Sequence, residues 1–167
     1  MNLNTWNVIG IDADRRRIAV VQRLGGVKTA RTIQRTETKG RVLPMYCEAL
    51  TGLMRDAGGR GAVIFLEGIY LPATGSAARN VETFRVLANV QGEILLEAAR
   101  YGVEVRLVPP TQWQKRVLGI CRDRVKLKEA AITAARGFMR EGLTEHESDA
   151  ACLCLYGLWA LRNEEVA

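Results

Sequence analysis

The segment that most constrains the fold is residues 61–67, in which five apolar residues run without interruption between Gly61 and Glu67. An apolar run of this length, without polar alternation, is typical of a strand buried on both faces inside a parallel sheet. Such sheets carry helices on their faces, so the run favours an α/β fold. Ligand sites in α/β folds lie at the carboxyl ends of the strands, which is where Glu67 stands.

The rest of the chain supplies further strands and the helices that would cover them. Apolar and β-branched runs predict strands at residues 7–11, 17–22, 27–35 and 103–108. A hairpin is expected between the first two, and Gly25-Gly26 is expected to form the turn before the third. Residues 71–77 are expected to form a loop, and Thr111 is the expected cap of a short helix. Helical spacing predicts helices at residues 41–57, 80–101, 111–118, 124–140 and 144–163.

This order of elements predicts a mixed five-stranded sheet with helices on both faces. The first three strands would form an antiparallel meander, and the later strands, each preceded by a helix, would add to the sheet as parallel strands. The sequence shows no internal repeat, low-complexity tract or linker. We therefore expect residues 1–167 to form a single domain.

The charge distribution favours a polyanionic partner. The 24 Lys and Arg residues outnumber the 18 Asp and Glu residues, which gives a formal charge of +6 at pH 7. The excess is concentrated in residues 111–128, where Asp123 is the only acidic residue. A solubilising mixture of charges is the alternative explanation. The basic residues of this segment are Lys115, Arg116, Arg122, Arg124, Lys126 and Lys128.

The four cysteines indicate a reducing compartment rather than a disulfide framework or a zinc site. They form no CxxC pair, and the sequence has neither a cleavable signal segment nor a long apolar span. We therefore expect a cytoplasmic protein with reduced thiols and no membrane association. Cys152 and Cys154 lie two residues apart in an apolar helical run, where core packing is favoured over metal binding.

Three carboxylates and one imidazole are candidates for a functional site. Asp12 follows the first strand and Glu67 ends a buried one, and a carboxylate in that position is unfavourable unless it is paired or binds a metal. His146 and Asp149 are three residues apart at the start of the last helix, so they share one helix face. The alternative for Asp12 is a turn cap, and the alternative for Asp149 is a helix cap.

This set of side chains indicates a site for two divalent ions and no other small-molecule cofactor. Oxygen ligands suit Mg²⁺ or Mn²⁺, and the imidazole of His146 shifts the preference toward Mn²⁺. Two ions about 4 Å apart can activate water and stabilise the leaving oxygen in phosphodiester hydrolysis. An alternative role for His146 is to orient or deprotonate the attacking water. Beside a basic surface, such a site predicts a metal-dependent nuclease.

Four motifs, taken in order, resemble the RuvC-type Holliday junction resolvases of the RNase H-like superfamily. They span residues 9–161, which is nearly the whole chain. The resemblance implies an RNase H-like fold and a homodimer that resolves four-way DNA junctions by paired symmetric nicks. The motifs are Ile9-Gly10-Ile11-Asp12 with the hairpin after it, Ile64-Phe-Leu-Glu67-Gly-Ile-Tyr70, Pro109-Pro-Thr-Gln-Trp-Gln-Lys115 and His146-Glu-Ser-Asp149-Ala-Ala.

Carried over residue by residue, the resemblance assigns metal binding and catalysis to Asp12, Glu67, His146 and Asp149. Tyr70 matches an aromatic residue that stacks on bases at the junction. An alignment that pairs Asp149 with Cys152 is rejected, because a thiol serves a hard Mg²⁺ ion poorly.

The resemblance also assigns roles to basic residues. Lys115 matches the basic residue near the scissile phosphate, and either Lys126 or Lys128 matches the second one. Arg122 and Arg124 are alternatives for the phosphate role, and Arg116 belongs to the same predicted DNA surface. The helix at residues 80–101 carries either the dimer contact or part of the core.

The sequence is also compatible with functions other than that of a junction resolvase. Sugar-kinase and actin-like ATPases also open with Gly-Ile-Asp, but Ala13-Asp14-Arg15 lacks the glycine that their phosphate-binding turn needs. The same three residues depart from the Asp-Pro-Gly of bacterial housekeeping resolvases, which indicates a phage-encoded or divergent relative. The alternatives are a nuclease with broader branched-DNA or RNase H-like activity and a junction-binding module without catalysis.

Overall fold

The computed structural model describes residues 6–14, 16–34, 37–38, 41–42, 45–69, 77–119, 123–140 and 142–165. Its strands are β1 (Val8–Ala13), β2 (Arg17–Leu24), β3 (Val27–Gln34), β4 (Glu37–Thr38), β5 (Arg41–Val42), β6 (Val63–Glu67) and β7 (Glu104–Val108). Its helices are α1 (Met45–Gly59), α2 (Ala77–Arg100), α3 (Pro110–Val117), α4 (Arg124–Met139) and α5 (Glu145–Glu164).

Five strands form one mixed sheet, as the sequence predicted, and their order in it is β3-β2-β1-β6-β7. β1, β2 and β3 make an antiparallel meander, whereas β6 runs parallel to both β1 and β7. In the register of β1 with β6, Ile11 lies opposite Leu66. Asp12 and Glu67, one residue further along each strand, therefore lie beside each other at the carboxyl edge of the sheet.

Helices cover both faces of the sheet and form two separate cores. On one face, α1 and α2 pack against the strands through buried residues such as Leu53. On the other face, α3, α4 and α5 pack through residues such as Trp113 and Leu153. Ile64 belongs to the first core and Phe65 to the second, which confirms that the apolar run is buried on both sides.

The closest approach between layers is the crossing of α5 over β1. A Cβ atom added to Gly10 would overlap the carbonyl oxygen of Ala150 and lie 2.5 Å from the backbone nitrogen of Cys154. Gly157 plays the complementary part on the helix, because a Cβ there would overlap the ring of Phe65. The two glycines allow α5 to lie directly on the sheet, and this contact fixes the position of the helix start relative to Asp12.

The predicted start of the first helix is wrong. The helix predicted from residue 41 begins at Met45, and Arg41–Val42 instead pairs with Glu37–Thr38 in a two-stranded sheet. Pro44 accounts for this difference, since a proline disfavours the α conformation of the residue before it and lacks the N–H that a helix interior requires.

Thr111 does not cap α3. The N-cap is Pro109, and Pro110 occupies the first helical position, where the missing N–H leaves no bond unmade. The predicted loop at 71–77 is not described for residues 71–76, and Ala77 already belongs to α2.

Cys152 and Cys154 are free, fully buried thiols on α5, which confirms their predicted place in the core. Burial raises the pKa of each thiol to about 12. The side chain of Cys47 and the whole of Cys121 lie outside the described part of the chain. Among the described helices, none combines the length and apolar character needed to cross a membrane.

Gly10→Ala is expected to push α5 away from β1 and to lower the free energy of unfolding by about 2 to 3 kcal/mol. The reason is that the added methyl group meets backbone atoms, which cannot move aside by a rotamer change. Urea denaturation followed by circular dichroism measures the effect. Gly52→Ala in α1 is the control, because a Cβ there meets nothing within 4 Å. Equal stability of the two variants would show that the crossing tolerates a side chain.

Candidate functional site

The start of α5 is fixed by a capping box. The Thr144 side chain accepts a hydrogen bond from the backbone of Glu147, whose carboxylate accepts one from the backbone N–H of Thr144. The Glu147 carboxylate also accepts a hydrogen bond of 2.9 Å from the hydroxyl of Thr32 on β3. These contacts set where the first turns of α5 point, so that His146 and Asp149 face the end of β1.

His146 joins α5 to the carboxylate of Asp12. Its Nδ1 atom lies 2.7 Å from Oδ2 of Asp12, and its Nε2 atom lies 3.4 Å from Oδ2 of Asp14. The hydrogen bond with Asp12 raises the pKa of His146 above its usual value, against the opposing effect of burial. Arg17 in turn holds Asp14 through a 2.9 Å ion pair. Asp14 is a neighbour of the site that the sequence did not single out.

Glu67 and Asp149 are carboxylates in surroundings that disfavour their charged forms. Burial raises the pKa of Glu67 to about 7, and the negative charge of Asp12 adds to this effect. Burial also raises the pKa of Asp149 to about 7, with contributions from the charges of Asp12 and Glu145. Three carboxylates therefore share a partly buried region in which their negative charges are not fully offset.

The buried side chain of Trp113 on α3 contacts the carboxylate of Glu67. Its side chain is 1% exposed, and its indole N–H donates a 2.9 Å hydrogen bond to Oε2 of Glu67. This bond lowers the pKa of Glu67 against the effect of burial. Trp113 was not predicted as a site residue. The available signal was its place in the Pro-Pro-Thr-Gln-Trp motif, because a buried Trp requires a hydrogen-bond acceptor for its N–H.

Two cavities meet at Asp12 and Arg124, which line both of them. One has a volume of about 440 Å³ and is also lined by Glu67, Leu87 and Gln91. The other has a volume of about 250 Å³, and its lining includes His146 and Asp149 together with Trp113, Lys128 and Glu145. All four predicted metal-binding residues, Asp12, Glu67, His146 and Asp149, therefore line this pair of cavities.

The donor set fits a hard divalent cation in its chemistry. Burial and, secondarily, the charge of Asp12 raise the pKa values of Glu67 and Asp149, so a bound cation would offset charge that the site otherwise disfavours. In the cavity that Asp12 and Glu67 line, Oε1 of Gln91 is a buried acceptor without a hydrogen-bond partner. Within the described residues, no three acidic, His or Cys side chains are already arranged as metal ligands. A cation would therefore have to draw the carboxylates together.

The predicted basic residues take up different positions. Arg124 lines both cavities, and Lys128 lines the smaller one, where its Nζ atom lies 2.6 Å from Oε1 of Glu145. Lys115 and Lys126 are exposed on α3 and α4 and line neither of the two cavities. The guanidinium carbon of Arg116 lies 4.1 Å from the ring centroid of Trp159, near the other end of α5. Tyr70 and Arg122 lie outside the described residues.

The sequence matches no protein-family model and, at a stringent threshold, no curated protein. Solved structures do match. The structure of Thermus thermophilus RuvC in complex with a Holliday junction substrate superposes with a TM-score of 0.67 at 15% identity, covering 94% of this chain and 96% of that chain.

A second structure of Thermus thermophilus RuvC gives a TM-score of 0.64 at 18% identity, with the same coverage of 94% and 96%. The chain has a RuvC-like fold. The low identity marks it as a divergent form of that fold and leaves the roles of Asp12, Glu67, His146 and Asp149 as predictions.

The electrostatics of the site predict a pH-dependent stabilisation by divalent cations. Glu67 and Asp149 bind protons more tightly in the folded protein than their ordinary pKa values of 4.5 and 3.8 imply. Their contribution to stability therefore falls as the pH rises from about 4 to about 7. The raised pKa of His146 acts in the same direction. A cation that replaces the lost protons is expected to restore this stability.

Thermal unfolding with and without Mn²⁺ or Mg²⁺ measures this effect. We expect the cation to raise Tm by about 5 °C at pH 8 and by much less at pH 5. Asp149→Asn is expected to reduce the difference, whereas Asp56→Asn on the exposed surface of α1 keeps it. The same cation shift at both pH values, or in both variants, would contradict the interpretation.

Trp113→Phe is expected to raise the pKa of Glu67 further, because it keeps an aromatic ring in the core and removes the N–H that donates to Oε2. Loss of a hydrogen bond to a charged group is expected to lower stability by about 1.5 to 3 kcal/mol above pH 7. Carbon NMR titration of the Glu67 carboxyl group measures the pKa. Trp6→Phe is the control, and an unchanged titration of Glu67 in Trp113→Phe would rule out the support assigned to the indole.

Proposed function

We propose that this protein is a metal-dependent endonuclease that cuts four-way DNA junctions by paired symmetric nicks. The observation that carries the proposal is the meeting of Asp12, Glu67, His146 and Asp149 around two joined cavities at the carboxyl edge of a RuvC-like sheet. One of the similar structures is a RuvC bound to a Holliday junction substrate, which supports branched DNA as the substrate class.

Asp12, Glu67, Asp149 and His146 would hold the divalent cations of the site, Mg²⁺ or Mn²⁺. When bound, two such ions supply a nucleophilic water and offset the charge that develops during phosphodiester hydrolysis. Asp12 is central to this proposal, because it lines both cavities and already contacts Nδ1 of His146. His146 is either a ligand or the group that orients the attacking water.

Arg124 and Lys128 are the best-placed cations for a DNA phosphate at this site. Arg124 lines both cavities, and its guanidinium group suits bidentate contact with phosphate oxygens. Lys128 lines the cavity that contains His146 and Asp149, although Glu145 engages it in the absence of DNA. Lys115 and Lys126 are proposed to contact DNA outside the cavities, from the exposed surfaces of α3 and α4.

Paired nicking requires two active sites, so we further propose a homodimer. α2 belongs to the core, and its exposed apolar residues are the proposed dimer contact. Its Ile94 is fully buried in the core, whereas Val81 is 51% exposed and Phe84 is 41% exposed. Leu87, which follows Phe84 by one turn of the helix, lines the cavity at Asp12. A dimer contact through the start of α2 would therefore lie beside the active site.

The proposal is tested with labelled four-way junctions and a matched duplex, each incubated with purified protein and Mg²⁺ or Mn²⁺. We expect symmetric nicks in opposing strands of the junction and little cutting of the duplex. Asp12→Asn and Asp149→Asn are each expected to lower the cleavage rate by about 100-fold or more, because each removes a carboxylate that would hold the divalent cations. Asp56→Asn is expected to cleave at the normal rate.

The other outcomes separate the alternatives. Equal cutting of junction, duplex and RNA–DNA hybrid would show a nuclease without junction selectivity. Tight junction binding without cleavage in either metal would show a binding module. Single nicks from a monomer, as measured by sedimentation, would contradict the dimer.

A further inference from the structure

A basic cavity lies at the opposite end of α5 from the candidate active site. It has a volume of about 500 Å³ and is lined by Arg23 of β2, Lys28 of β3 and Arg162 of α5, together with the rings of Phe138 and Trp159. We call it the far basic cavity. Its lining, within the described residues, contains three cationic side chains from three elements and no acidic side chain.

The cations at the far basic cavity are held in position by the protein. The Nζ atom of Lys28 donates a 2.5 Å hydrogen bond to the carbonyl oxygen of Phe138 and lies 4.4 Å from the centroid of its ring. Arg23 is only 6% exposed, and its Nη1 donates a 3.0 Å hydrogen bond to the carbonyl of Trp6. Such fixed positions reduce the conformational entropy that a ligand must remove on binding.

Lys28 lies over the ring of Phe138, so the cavity offers a cation rather than an open face of that ring. The nearby acidic residue Glu164 is engaged by Arg106 of β7. Arg116, which does not line the cavity, lies over the ring of Trp159. This arrangement suits a compact anion better than a stacked base.

We propose that the far basic cavity binds a backbone phosphate of the DNA on which the active site acts. Phosphate oxygens accept hydrogen bonds from the guanidinium fork of Arg162 and from the remaining N–H donors of Lys28, and the charge of Arg23 adds to the positive potential of the cavity. Arg162 follows Asp149 by thirteen positions in α5, which places the two regions about 20 Å apart along the helix. That span suits a second contact on the same extended polyanion. The inference rests on the proposed function, because it takes DNA as the ligand.

Binding of a labelled four-way junction at increasing salt concentration tests this site. Every protein carries Asp149→Asn, so that the DNA stays uncut and the result does not depend on cleavage. Removing two of the cations that would share this phosphate, with Lys28→Ala and Arg162→Ala together, is expected to raise Kd at least about fivefold and to lower the log–log salt slope by about 1. Arg162→Ala alone, at an exposed position, is expected to lower the slope by less than the double variant does.

The matched control removes two positive charges from the opposite face of the sheet, with Arg55→Ala and Arg60→Ala on and next to α1. This control is expected to leave the slope nearly unchanged. Equal weakening by the two double variants would reduce the effect to net charge and overturn the proposal. The proposal would also be overturned if the salt slope were unchanged both in the double variant and in Arg162→Ala alone. Absence of cleavage by the protein with Asp149 intact would instead count against the proposed function.

Discussion

The rest of the structure depends on how closely α5 lies on β1. Gly10 has no side chain to separate the two backbones, and a methyl group there would collide with Ala150 and Cys154. Any increase in that distance would lift the start of α5 away from the end of β1. The 2.7 Å contact between His146 and Asp12 is a direct consequence of this packing. The core and the candidate site are therefore held by the same interface.

This packing brings carboxylates together at an energetic cost. Glu67 and Asp149 have pKa values of about 7 because they are buried and lie near the negative charge of Asp12. When both are charged, their burial and the repulsion between the carboxylates lower the free energy of unfolding. The surrounding contacts offset part of it. Trp113 donates to Glu67, and His146 lies against Asp12. A region that is unfavourable for three negative charges is by the same physics favourable for a divalent cation.

The sequence was sufficient for the sheet because each strand follows a simple pattern. The uninterrupted apolar run at Ile64 and Phe65 faces two cores, so its pattern could be interpreted without knowledge of its neighbours. The start of α1 was harder to place, because the apolar spacing of the helix continues back to Val42 although Pro44 intervenes. The spacing of apolar residues does not predict that Arg41–Val42 pairs with Glu37–Thr38.

The candidate site was predictable where residues carry charge and lie at element ends, as Asp12 and His146 do. The sequence did not predict Trp113, Gln91 and Asp14 as site residues, because their position at the site depends on which elements meet in space. Arg116 shows the converse, since its sequence neighbour Lys115 matched a DNA-contacting residue while Arg116 itself lies over Trp159. Adjacent basic residues on a helix point about 100° apart, so a basic segment does not define a single surface.

α5 joins these regions through its electrostatics as well as its packing. The amino end of a helix carries partial positive charge, which favours the carboxylates Glu145 and Glu147 in its first turn. The carboxyl end carries partial negative charge, which favours the cation Arg162 in its last turn. One buried helix thus supports an acidic region at one end and a basic region at the other. In the proposed function, the acidic end of α5 would hold divalent cations, and its basic end would contact a phosphate of the same DNA.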